Sequence, residues 1–124
     1  MKKFALFAGS INAMLAVILG AFGAHGLKGR LTEEMLSVYQ TGVQYHFYHS
    51  LGLIIIGVTA FHLPASASLK WSARLMLAGI ILFSGSLYLL ALTNINWLGM
   101  ITPVGGTAFI VAWLLLAIAA LDLK

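Results

Sequence analysis

The chain has no cysteine among its 124 residues. That excludes a disulfide, a thiolate metal site, an iron–sulfur cluster and a haem attached through C-x-x-C-H. Charge is almost as scarce: charged residues make up 8% of the chain, whereas a soluble domain carries about 25%. There are only three acidic residues, Glu33, Glu34 and Asp122, and none falls within an apolar run. Transporters driven by protons or sodium normally place a carboxylate at membrane depth, so that class finds no support. No serine stands with both a histidine and a carboxylate inside an apolar run, so hydrolysis finds none either. No catalytic residue is assigned, and the protein is not expected to be an enzyme.

What remains is apolar. Hydrophobic residues account for 61% of the chain, with a mean hydropathy of +1.01. Too few polar side chains are present to cover a water-facing globule, which makes this an integral membrane protein of one domain. Lysine and arginine outnumber aspartate and glutamate by 7 to 3. They flank apolar runs, where basic residues orient helices, so the excess does not point to nucleic acid. Four apolar stretches predict helices over about 4–25, 33–62, 74–92 and 103–121. The expected fold is all-α, an antiparallel bundle of four transmembrane helices.

The first run, Phe4 to Ala24, follows Met1-Lys2-Lys3 and could be taken for a signal peptide. At about 20 residues it exceeds the roughly 7–15 of a signal core, and a first membrane helix is expected instead. Gly9, Ala13, Ala16, Gly20 and Gly23 form a stripe of small residues that lets another helix approach closely, here expected to be helix two. Asn12 is its one strongly polar side chain, expected to hydrogen-bond across to another helix. Thr32 suits an N-cap, with Glu33 and Glu34 where the helix dipole favours negative charge. Thr102-Pro103 reads as an N-cap followed by proline in the first turn. With the N-terminus inside, Lys2, Lys3, Lys70, Arg74 and Lys124 lie on the inner side, and Lys28 and Arg30 on the outer. Both termini are therefore expected in the cytoplasm.

The second helix carries the chemistry. Its uninterrupted apolar run, Leu51 to Leu63, gives only about 20 Å of helix at 1.5 Å per residue, short of the roughly 30 Å of a bilayer core. The span must borrow turns from Tyr39-Gln40-Thr41-Gly42-Val43-Gln44-Tyr45-His46-Phe47-Tyr48-His49-Ser50. At 100° per residue, Tyr39, Gly42, His46, His49, Leu53 and Ile56 share one face, while Gln40, Gln44 and Phe47 point elsewhere. His25, at the end of helix one, is expected at the same outer membrane level as His46 and His49, so that the three form one connected polar site. Candidate site residues are His25, Tyr39, Gln44, Tyr45, His46, His49 and Asn12. Three readings stand: a polar network capping the bundle, a small-molecule or lipid-headgroup site, or a metal or haem site. The third lacks ligands from an opposed helix, because the last two helices contain no histidine; no metal or cofactor is assigned. The small multidrug exporters, also four short helices, carry an essential glutamate in helix one, where this chain offers only Asn12.

Four stretches carry a family resemblance: Gly20-Ala21-Phe22-Gly23-Ala24-His25-Gly26-Leu27, the run from Tyr39 to Gly52, Gly85-Ser86-Leu87-Tyr88, and Ile101-Thr102-Pro103-Val104-Gly105-Gly106. They resemble the YwdK/YgdD-type family of small bacterial inner-membrane proteins, a domain of unknown function. The resemblance implies a multi-pass protein of the bacterial cytoplasmic (inner) membrane and supplies no activity. It adds weight to His25, His46 and His49. The expected role is a non-enzymatic binding or interaction module. The alternatives are a small-molecule or ion transporter or channel, and a haem- or quinone-linked redox protein. Expected partners are the lipid bilayer, a second copy or another membrane protein, and an unassigned small molecule.

Overall fold

The computed structural model describes residues 1–123, which form four helices and, among these residues, no strand. Lys124, one of the basic residues placed inside, lies outside the described residues. Helix α1 is Lys2–Phe22, continued by a wider π-helical turn, Gly23–Leu27. Helix α2 is Glu33–Thr59. Helix α3 runs continuously over Ala67–Thr93, with a π-helical segment at Ile80–Ser84. A 3-10 turn, Asn96–Met100, leads into α4, Thr102–Ala120.

Local chemistry sets the ends. The Thr32 hydroxyl accepts from the Met35 N–H at 3.1 Å and opens α2 as expected. That helix stops at Thr59 rather than near 62, and two tighter turns follow, with Phe61 N–H on Val58 O and His62 N–H on Thr59 O. Pro64 explains the early stop: it has no N–H to give, and its ring pushes Leu63 out of the helical region. Helix α3 begins at Ala67, ahead of the expected 74, because the Ser66 hydroxyl accepts from the Leu69 N–H at 3.2 Å and caps it. Lys70, Trp71 and Arg74 thus lie in its first turns instead of before it. The cap expected at Thr102 does not form. The 3-10 turn already supplies carbonyls for the entering N–H groups, and the Thr102 hydroxyl pairs with Ser86 Oγ at 2.6 Å.

Small residues set the packing. A Cβ added at Gly9 would lie 2.8 Å from Ile54, at Gly20 3.2 Å from Val43, and at Gly23 2.5 Å from the Tyr39 ring; on α2, Gly57 meets Leu6. Position numbers rise along α1 as they fall along α2, so the two helices run in opposite directions, in contact over nearly their whole lengths. The small-residue stripe faces α2, as the sequence predicts. Between α3 and α4, Gly79 lies against the Phe109 ring and Gly105 against the backbone at Leu82 and Phe83. Leu53, Ile56, Ala73, Met76, Phe109 and Ala112 form the main core. Serine hydroxyls join the helices: Ser72 donates to Ala112 O at 2.6 Å and Ser84 to Gly42 O at 2.7 Å. Such bonds contribute on average about 0.6 kcal/mol within a bilayer.

Three segments, Lys2–Leu27, Ala67–Thr93 and Asn96–Ala120, are long and apolar enough to cross a membrane. Their outward residues, among them Phe7, Val17, Ile81 and Ile110, are large, apolar and exposed. Contiguous apolar surface on that scale suits lipid and not water.

Candidate functional site

The inward face of α2 holds Tyr39, Gly42, His46, His49, Leu53 and Ile56, all buried, while Gln40, Gln44 and Phe47 are exposed. Two different environments branch from it.

The first is closed. His46 is the middle residue of α2, and Asn12 the middle residue of α1. His46 Nε2 lies 2.9 Å from Asn12 Oδ1, and His46 Nδ1 lies 2.8 Å from Tyr88 Oη on α3. The proton positions follow by elimination. Asn12 Nδ2 donates to the Ala8 carbonyl at 2.8 Å, which can only accept. Oδ1 is therefore the amide atom facing His46, and Nε2 must carry the hydrogen. Nδ1 is then an acceptor, and the Tyr88 hydroxyl donates to it. Three helices are joined by one chain of hydrogen bonds running Tyr88, His46, Asn12, Ala8. Beside it, Tyr39 donates to Leu19 O at 2.6 Å, its ring 5.3 Å from that of Tyr88, and Ser50 donates to His46 O. Among the described residues no buried side-chain nitrogen or oxygen lacks a partner.

The second environment is open. His49 Nδ1 lies 2.7 Å from the Tyr45 carbonyl, an acceptor, so Nδ1 bears the hydrogen. His49 Nε2 bonds to no described residue. It is not fully buried, and His49 lines a groove with Tyr45, Tyr48, Phe83, Gly106, Phe109, Ile110 and Trp113. The groove measures about 540 Å³ and opens between α2, α3 and α4. The imidazole stacks on Phe109, with ring centres 3.4 Å apart and planes 10° from parallel, and Trp113 stands 5.8 Å away. The π-segment of α3 brings Phe83 to 4.7 Å from Tyr45 and 5.4 Å from Phe109. Segments of this kind often mark functional sites.

The candidate residues thus divide. Asn12, His46 and Tyr39 lie in the closed set; Tyr45 and His49 line the groove, and Gln44 reaches it by donating to Tyr48 Oη at 2.7 Å. His25 is exposed on the π-turn, bonded to neither of the other histidines. The single three-histidine cluster is not the arrangement seen: His46 turns to α1 and α3, His49 to α4. Tyr88 is not among the candidates the sequence offers, although it lies in the Gly85-Ser86-Leu87-Tyr88 stretch and is the one tyrosine of α3. Among the described residues, no group of three or more His, Asp or Glu side chains gathers where it could hold a metal ion.

Lipid-type outer faces around an interior whose polar groups are paired off define a small helical membrane protein. The chain matches the family described as "Protein of unknown function (DUF423)" over residues 19–106, and it belongs to that family. It is 53% identical over 120 residues to the UPF0382 membrane protein YwdK of Bacillus subtilis (strain 168), with 97% of either chain covered. It is 48% identical to the UPF0382 membrane protein SERP0230 of Staphylococcus epidermidis, over 98% of this chain and 97% of that one. A third relative, the UPF0382 membrane protein SAB0533 of Staphylococcus aureus, is 50% identical over 96% and 95%. No solved structure matches.

Proposed function

We propose that the protein is a four-span antiparallel bundle of the bacterial cytoplasmic membrane, both termini cytoplasmic, acting as a non-enzymatic binding module for a small membrane-dissolved molecule. The observation that carries this is His49, whose Nε2 bonds to no described residue and whose side chain lines an aromatic groove between helices. A ring nitrogen at membrane depth has no water to bond, so one left open calls for a ligand.

The fourth span is α2. It falls short of a membrane segment by composition, yet it packs on α1 from the Leu6–Gly57 contact to the Gly23–Tyr39 contact. If α1 crosses the bilayer, its neighbour crosses beside it. The buried polar side chains of α2, Tyr39, His46, His49 and Ser50, turn inward and each makes at least one hydrogen bond, which lowers the cost of placing them in lipid. On this reading His46 and Asn12, the middle residues of α2 and α1, lie near mid-bilayer, deeper than the outer level that apolar run lengths indicate. His25 stands apart at the outer end of α1.

Native mass spectrometry of the protein released from its own membranes tests the reading. A small-molecule adduct is expected on the parent and is lost in His49→Phe, which keeps the stacked ring and removes the nitrogen. A parent free of adducts, or an adduct indifferent to His49, rejects it.

A further inference from the structure

We infer that the groove takes a lipid-soluble hydroquinone, a flat ring with two hydroxyls and an apolar tail; this rests on the binding-module reading and names its ligand class. The first argument is polarity. The Tyr45 carbonyl fixes the hydrogen on His49 Nδ1, so in the neutral ring Nε2 offers a lone pair and nothing else. A ligand meeting it must donate. Acyl chains, esters, ethers and the carbonyls of an oxidised quinone have no hydrogen to give there.

The second argument is shape. Tyr45, His49 and Phe109 present nearly parallel ring planes, 13° apart for the first two and 10° for the last two. Phe83 and Trp113 meet them at steeper angles, 37° from Tyr45 and 60° from His49. His49 and Phe109 already cover one another at 3.4 Å, so a planar ring enters beside this pair and not between its members, in stacked or edge-on contact with the aromatic lining. Gly106 leaves room, since a Cβ there would come no closer than 3.6 Å to Phe83. Ile110, 70% exposed, stands at the rim where a tail would pass into lipid.

The third argument is the second oxygen. The Tyr48 hydroxyl accepts from Gln44 and so keeps its own hydrogen for donation. A ring with one hydroxyl on His49 Nε2 and another oxygen within reach of Tyr48 uses two of the groove's polar groups, the Tyr45 hydroxyl being the third. A simple alcohol uses one.

The test is equilibrium binding of tritium-labelled 2-decylhydroquinone and of its dimethyl ether to the protein in lipid nanodiscs, corrected with empty discs. The ether has the same ring and tail and no O–H. The parent should bind the hydroquinone about tenfold more tightly, as one hydrogen bond near the top of the usual range provides. His49→Phe should erase that preference, and Gly106→Val, which fills the groove and leaves His49 in place, should weaken both probes. Equal affinity of the parent for the two probes, absence of binding by either, or a preference that survives His49→Phe overturns the inference. A native adduct lost in His49→Phe together with equal probe affinities would mean that the groove binds a ligand of another class. The absence of both would remove the binding-module reading as well.

Discussion

Tyr88→Phe removes one oxygen and leaves the ring where it is, against Tyr39 and over Gly42. His46 Nδ1 then loses the donor that sits 2.8 Å away. Asn12→Leu cuts the same chain from the other side: volume is nearly kept, and the Nε2 hydrogen faces a methyl instead of an oxygen at 2.9 Å. A hydrogen bond between membrane helices averages about 0.6 kcal/mol and reaches about 1.7. An orphaned buried group adds its own penalty, so about 1–2 kcal/mol is expected for Tyr88→Phe and about 2–3 for Asn12→Leu. Because both act through one imidazole, the double variant should cost less than the sum, by about 0.5–1 kcal/mol. Reversible unfolding in mixed detergent and SDS micelles, followed by loss of near-ultraviolet dichroism, measures all three. Single variants within about 0.5 kcal/mol of the parent, or a double variant that is simply additive, would refute the reasoning.

Gly79→Ala puts a methyl into the Phe109 ring, which must move off His49, and should lower stability by about 1–3 kcal/mol. Gly85→Ala, one turn and a half further on with nothing within 4 Å, should be neutral or stabilising by up to about 1 kcal/mol in the same melts. Single cysteines introduced into this cysteine-free chain report topology: positions 28 and 95 should react with an impermeant maleimide from the periplasm, and positions 3 and 66 only after lysis. Labelling of position 66 in intact cells would place α2 wrongly. Ser84→Ala should release the Gly42 carbonyl and cost about 0.6 kcal/mol by unfolding in the same micelles.

The inward face of α2 was legible because a helix repeats every 100° and α2 is regular from Glu33 to Thr59. The α1 stripe was legible for the same reason. Tyr88 was not, since the π-segment at Ile80–Ser84 widens the turn and shifts the phase of α3 beyond it. The split between His46 and His49 was equally hidden: sharing a face fixes a direction, but only the neighbours decide what each ring meets. Asn12 supplies one neighbour and Phe109 the other, and both lie more than thirty positions away.

Small-residue seams between helices have an ambiguity that hydrogen bonds do not. Gly9, Ala16, Gly20 and Gly23 recur along α1, so sliding it by one turn, about 5.4 Å, would still set small residues against α2. Lipid on the outside is indifferent to such a slip. The Tyr88–His46–Asn12 chain has no second copy one turn up or down: a vertical shift of α1 or of α3 breaks one of its links, and a shift of α2 breaks both. It acts as the detent that selects one alignment of α1, α2 and α3 among several of similar packing. On this account an Asn12 variant yields helices that still associate but no longer share a single height, and a groove whose walls on α2 and α3 no longer stay level.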